Sequence, residues 1–243
     1  MGVIMDKLLK KQGKINKYDN IFNGIFVPLL MYYVIHNATV IGGLSALEWL
    51  VREGSIPSLA DHTLFYIQTS IKIAGMILGG AAVYPYFKRE AVLEMKMKKS
   101  LSLKMGMALV FVGAILSLGI NFLFSLTGLP QSNEQYQQVA AAQFALPLWL
   151  AFIFYGIVSP VIEEIVFRGV ACNWLGRNIS PTIGIVGSAL LFGAFHGNLV
   201  QILYASIMGV ILAYVYQRYQ NLKAPILVHA AANVAIYFVT YFF

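Results

Sequence analysis

The stretch from Gln143 to Arg168, QFALPLWLAFIFYGIVSPVIEEIVFR, decides how this chain is read. Its first twenty residues carry no charged side chain, and about 20 mostly apolar residues are what a helix needs to cross a bilayer core. It then ends in two acids and an arginine. An ionisable group at the centre of a membrane helix costs roughly 2.5–3.5 kcal/mol on insertion scales, so Glu163, Glu164 and Arg168 mark a functional site by default. A structural ion pair snorkelling to water at a helix end is the competing reading of these three residues.

Outward from this stretch the chain is of one kind: 59% of residues are hydrophobic, only 11% are charged, and the mean hydropathy is +0.72. The expected fold is an all-α, polytopic integral membrane bundle. Apolar runs long enough to span extend from Ile21 to Leu50, Thr63 to Phe87, Met105 to Gly128, Gln143 to about Arg168 and Pro225 to Phe243. Two shorter ones, Pro181 to Gly197 and Leu199 to Gln217, read as a tight helical hairpin. The expectation is about seven transmembrane helices, with six to eight compatible with the pattern. One membrane domain accounts for the chain: 1–142 holds the basic amino-terminal segment and three spans, and 143–243 holds the polar motifs.

The net charge of +7 is distributed as a topology signal rather than as a nucleic-acid surface. Lys7, Lys10, Lys11, Lys14 and Lys17 precede the first run, and Lys88, Arg89, Lys96, Lys98, Lys99 and Lys104 fill the second connection. Excess lysine and arginine mark cytoplasmic loops. Seven crossings put Arg177, Arg218 and Lys223 on that same side, whereas the opposite connections carry Arg52 with Glu53, Asp61 and Glu134. The amino terminus is therefore expected inside and the carboxy terminus outside, in a bacterial plasma membrane. The first run is too long for a cleaved signal and reads as an anchor. The partners expected are lipid and a peptide or protein substrate, with no nucleic acid.

Helical spacing sorts the polar residues. Glu164 and Arg168 are four apart, on one face and in the favoured acid-before-base order, which leaves Glu163 about 100° away and free of that pair. Ser159 and Pro160 have the chemistry of an N-cap and first helical position, so a new helical segment or a kink is expected just before the acids. Phe192 with His196, and His229 with Asn233, also share a face at a separation of four. A carboxylate in a poorly hydrated cavity holds its proton more tightly than one in water, which suits a general acid or base. A glutamate and a histidine can deprotonate one water while a second histidine and an amide donate to an oxyanion; these are the parts of amide hydrolysis. There is no H-E-x-x-H helix, no G-x-S setting at Ser188 or Ser206, and no aspartate within a span, since Asp6, Asp19 and Asp61 lie outside.

The ordered set Glu163, Glu164 and Arg168, then Phe192 and His196, then His229 and Asn233 resembles the three signature motifs of the CAAX prenyl protease and bacteriocin-processing family of intramembrane proteases, also called the Abi family. The resemblance covers about Phe144 to Tyr237. It implies a glutamate-dependent endopeptidase with a site inside the membrane, reached from the cytosol. By position Glu163 and His196 would activate the water, His229 and Asn233 would stabilise the oxyanion, and Glu164, Arg168 and Phe192 would support them. The family is often classed as metalloprotease, and two histidines with a glutamate could hold zinc; the same groups suffice without a metal, and the ion stays open. A non-catalytic membrane binding protein for bacteriocin immunity or sensor regulation is the alternative, and a transporter using the buried acids and Lys72 a third class.

One geometric conflict arises. Simple alternation puts His196 at the outer end of its helix and His229 four residues past Pro225 on the inner side, too far apart across a roughly 30 Å core to share a water. Short, tilted or re-entrant helices between Pro181 and Gln217 would remove it, as would a cavity at Pro225. Elsewhere, Lys72 lies mid-span and is open to a cavity-facing role. Gly75 and Gly79 read as internal helix packing, Cys172 as an inert thiol, and Tyr237 to Phe243 as an interfacial belt. No role attaches to His36 or His62.

Overall fold

The computed structural model describes residues 20–54, 61–94 and 100–242, with side chains for all of these except 61–62 and 91–94. Lys7, Lys10, Lys11, Lys14, Lys17, Lys96, Lys98, Lys99 and Phe243, and the side chain of His62, lie outside the described residues. Every described element is helical: α1 Phe22–Arg52, α2 Asp61–Glu94, α3 Leu103–Leu126, α4 Glu134–Phe144, α5 Leu148–Asn178, α6 Pro181–Ala194, α7 Leu199–Tyr219 and α8 Lys223–Phe242. Starts follow the expected chemistry, with Ser102, Asn133, Ser180 and Asn198 each accepting a backbone N–H of the first turn.

Among the described residues six helices are long and apolar enough to cross a membrane, and α6 is not one of them. Its 14 residues rise only about 21 Å, short of a roughly 30 Å core. Six long helices and one short one thus stand where seven runs were read. The short helix packs along α7, and α1 along α2, and α3 along α8; α5 touches α1, α2, α6, α7 and α8. It also has the most buried span, with 44% of its apolar window inside the protein, so the motif-bearing helix is the central one.

Close approach between these helices depends on small residues. A Cβ at Gly113 of α3 would fall 2.4 Å from the Val228 carbonyl of α8, so only glycine lets the two backbones touch beside His229. Gly75 and Gly79 do the internal packing read from their spacing: added Cβ atoms would meet the His36 and Tyr32 carbonyls of α1. At the basic end, buried Glu90 of α2 pairs with Arg177 of α5 at 3.1 Å and with Arg89 at 3.2 Å. Arg177, read only as a topology signal, therefore also ties α5 to α2, and Arg89 braces the same carboxylate from within α2. Cys172 is fully buried, as expected of a packed thiol.

Candidate active site

The site is built on a rod whose hydrogen bonding changes register twice. Within α5, π-helical turns at Phe152–Val158 and Glu164–Cys172 flank one α-helical turn, Ser159–Glu163. Such turns are rare and recur at functional sites. The expected N-cap at Ser159 is therefore corrected: Val158 before it is already helical, and the Ser159 hydroxyl caps nothing, donating instead to Glu163 Oε1 at 2.6 Å. Proline explains the local register. It brings no N–H and its ring crowds the carbonyl four residues back, which a widened turn relieves. The Ser159 N–H reaches back five residues to Phe154, and in that register the Tyr155 carbonyl would be served by residue 160, which has no proton to give. Asn233 of α8 donates its Nδ2 to that carbonyl at 2.9 Å.

One turn further on, Arg168 Nη1 donates to Glu164 Oε1 at 2.9 Å, and both side chains are wholly buried. A pair so enclosed needs its other bonding positions met, and here they are met in part, since Glu164 Oε2 and Arg168 Nε have no hydrogen-bond partner among the described residues. Arg168 Nη2 reaches the Gly209 carbonyl of α7 at 3.0 Å, and the guanidinium lies 4.5 Å from the centre of the Phe192 ring. The same Glu164 Oε1 accepts from His229 Nδ1 at 2.8 Å, a link across 65 residues that helical spacing cannot show. The other ring nitrogen of His229 faces Glu163 Oε2 at 3.6 Å. Glu163, unpaired with Arg168 as the spacing required, thus lies between Ser159 and His229. Tyr32 and His36 of α1, stacked at 6.0 Å, lie near enough to Glu163 to feel its charge.

His196 sits in the four-residue turn between α6 and α7. Its Nδ1 bonds the Phe192 carbonyl at 2.8 Å; a carbonyl only accepts, so Nδ1 carries the proton and the neutral ring keeps a lone pair on Nε2. Gly197 closes the turn at φ +77°, a left-handed conformation natural to glycine. The Phe192 ring packs edge-on to His196 at 4.7 Å and to His229 at 5.6 Å. These contacts resolve the depth conflict: α6 is short, so the turn after it comes within reach of His229, which lies two turns into α8 rather than at its end.

Glu163, His196, His229 and Asn233 all line one cavity of about 280 Å³. Glu164, Arg168 and Phe192 stand behind it. Much of the wall comes from residues that the sequence did not single out: Asn121, Tyr136, Gln143, Gln201 and Tyr204. Helix α4 supplies Tyr136, Ala140, Gln143 and Phe144, at intervals of four, three and one, a single helical face. That spacing was present in the sequence, although α4 is too polar and short to stand out beside the spans. Lys72 is exposed on α2 and does not line the cavity. Tyr237 leaves the proposed belt, since its buried hydroxyl donates to the Leu146 carbonyl, while Phe238, Tyr241 and Phe242 are exposed.

Whether the donors suit a metal can be tested on their placement. Among the described residues no three His, Cys, Asp or Glu side chains converge as a metal-binding group, although the bond from one ring nitrogen of each histidine to Glu164 or a carbonyl is of the kind that orients a metal ligand. The set does not fit a zinc site as arranged.

Residues 145–235 match the family described as type II CAAX prenyl endopeptidase Rce1-like. The chain is 28% identical over 128 residues, 52% of its length, to the Bacillus subtilis (strain 168) protein YdiL, whose name describes a candidate membrane peptidase. It is 26% identical over 131 residues to YbdI of Lactococcus lactis subsp. lactis (strain IL1403), a UPF0177 protein, covering 52% of this chain and 70% of that one. The first match spans about half of YdiL, 52% of its length. No solved structure matches the chain. Residues 145–235, which hold Glu163, His196, His229 and Asn233, are thus the part of the chain that is similar to the Rce1-like family of type II CAAX prenyl endopeptidases.

Proposed function

We propose that this protein is an intramembrane endopeptidase that cleaves a peptide precursor or the tail of a membrane-associated protein, with Glu163 as general base. The observation that carries the reading is the cavity shared by Glu163, His196, His229 and Asn233, with Arg168 committed to Glu164 rather than to Glu163. A water between Glu163 and the free Nε2 of His196 gives its proton to the carboxylate as its oxygen attacks the amide carbon. Asn233 spends one amide proton on Tyr155, which fixes the plane of the group and leaves the second for the developing oxyanion. His229 donates its Nδ1 proton to Glu164, so Nε2 donates to the oxyanion only from the imidazolium. Collapse of the intermediate breaks the C–N bond, and Glu163 returns the proton to the leaving amine.

The protein resides in a bacterial plasma membrane with its amino terminus inside and its carboxy terminus outside. The six-plus-one arrangement leaves that parity intact, because α6 and α7 form an antiparallel hairpin that returns the chain to the side it left.

The test compares membranes and released peptides of cells carrying wild type or Glu163→Gln. Intact substrate should accumulate in the mutant, and purified Glu163→Gln and His196→Ala proteins should keep the wild-type unfolding temperature while cleaving at least about 100-fold more slowly. Cleavage retained by either variant sinks the mechanism; a cellular phenotype fully supported by Glu163→Gln makes the protein a binding protein instead.

A further inference from the structure

Helix α4 has one inward face, and that face is a wall of the cavity. Of its 11 residues, Tyr136, Ala140, Gln143 and Phe144 are half-buried and every other one is exposed. Those same four line the cavity. An amphipathic helix normally turns its inward stripe to a packed core, whereas α4 turns it to the site. It also precedes the stretch that carries Glu163, His196, His229 and Asn233, so this wall and the chemistry come from different parts of the chain.

Along that face positions 136, 140 and 144 form one ridge, since residues four apart lie one above the other. The ridge reads large, small, large. At about 1.5 Å per residue the backbone positions of Tyr136 and Phe144 are about 12 Å apart along the axis, with only the Ala140 methyl group between their rings. Both rings are held from outside α4. Phe144 packs on Tyr237 of α8 at 5.4 Å, and Tyr237 stacks on Tyr155 of α5 at 6.3 Å. Tyr204 of α7, 6.0 Å from Phe124 of α3, is close enough to Tyr136 to couple to it electrostatically. The start of the helix is braced as well: Asn133 Oδ1 accepts the Tyr136 N–H at 2.8 Å, and Gln137 Nε2 donates to the Pro130 carbonyl at 2.8 Å. The gap over Ala140 is thus a notch with fixed sides. None of the four lining residues of α4 is charged, and Met76 and Phe154 add apolar surface to the same cavity. Gln143, one turn from Ala140, presents an amide at the edge of the notch.

We infer that α4 is the specificity wall of the site: the notch over Ala140, between the Tyr136 and Phe144 rings, takes one bulky uncharged side chain, aliphatic or aromatic, of a peptide bound in extended form, and the Gln143 amide beside it selects a second residue. A volume of about 280 Å³, at the small end of the roughly 300–1,000 Å³ usual for ligand sites, suits a few residues of extended peptide rather than a packed helix. Alanine at position 140 leaves the room, and leucine there would fill it. The peptide as ligand rests on the protease reading, whereas the notch stands on geometry.

The probes are octapeptides with blocked ends on a serine and alanine background, in which one glycine, leucine, phenylalanine, lysine or glutamate is walked through every position. Cleavage of fluorogenic versions is measured with the purified wild-type protein in lipid nanodiscs, and binding of labelled versions with Glu163→Gln. Leucine or phenylalanine at one position should raise kcat/KM and tighten Kd about tenfold or more over glycine, the worth of burying one such side chain. Ala140→Leu should reverse that preference at that position alone, through KM and Kd, with kcat for the glycine peptide within about twofold of wild type. Gln143→Glu should create a preference of about fivefold for lysine over glutamate at a second position, the worth of a partly hydrated ion pair, and damage to the fold creates no such preference. Ala141→Leu, on the exposed side of α4, should change neither. Preferences untouched by Ala140→Leu and Gln143→Glu, a uniform loss across all peptides in both, or the same changes in Ala141→Leu overturn the inference. Probes cleaved with no dependence on positions 140 and 143 leave the protease and remove the notch. Probes bound by Glu163→Gln with that dependence but never cleaved by wild type remove the protease and leave the notch; probes neither bound nor cleaved overturn both.

Discussion

Pro160 and Arg168 act on the site without touching the cavity. Proline at position 160 withholds the proton that a π turn would offer the Tyr155 carbonyl, and Asn233 takes its place. Pro160→Ala restores a competing donor. The variant should be at least as stable as wild type yet cleave about fivefold more slowly, since losing one orienting hydrogen bond is worth roughly 1 kcal/mol; an unchanged rate in a cleavage assay would disprove the competition. Arg168 is a counter-charge with three anchors: Glu164, the Gly209 carbonyl and the Phe192 ring. Arg168→Ala strands Glu164 in a dry interior and should cost about 3–5 kcal/mol. Replacing both partners, Glu164→Gln with Arg168→Met, should recover much of that loss in a thermal unfolding experiment without recovering cleavage, because His229 would lack the charged acceptor that orients it. Recovery of both would reduce the pair to packing.

At the scale of elements, α5 brings catalytic candidates and support to one level through alternating π and α turns, and the brevity of α6 brings the His196 turn to meet them. Both were partly legible. The 159–168 pattern announced a local irregularity, and Pro181 to Gly197 was too short for a comfortable span; the kind of irregularity was not legible, because π and α turns differ by one residue of hydrogen-bond register that the same apolar sequence accommodates. The packing of α3 on α8 was not legible at all. Gly113 is one of 21 glycines, and only the approach of Val228 gives it meaning. Gly113→Ala drives a methyl group into the Val228 carbonyl and should destabilise the protein by about 1–3 kcal/mol, with a larger loss of cleavage as His229 shifts. Equal unfolding temperature and activity would show that α3 and α8 slide apart without consequence.

For the whole molecule, the first half of the chain matters more than motifs alone suggest. Residues before 143 supply Met76, Asn121, Phe124, Pro130, Tyr136 and Ala140 to the cavity, and the end of α2 is tied to α5 through Glu90. Sequence by itself determined the membrane class, the helical fold and the pairing of Glu164 with Arg168, because hydrophobic length and a period of 3.6 residues are local properties that a chain carries before it folds. Tertiary structure alone decided that Glu164 also holds His229, that Asn233 closes on Tyr155, and that the four motif residues line one cavity. Those depend on how far each helix extends and how closely two backbones approach, which are set by many weak contacts between segments 65 and 78 residues apart, and no spacing along one helix encodes them.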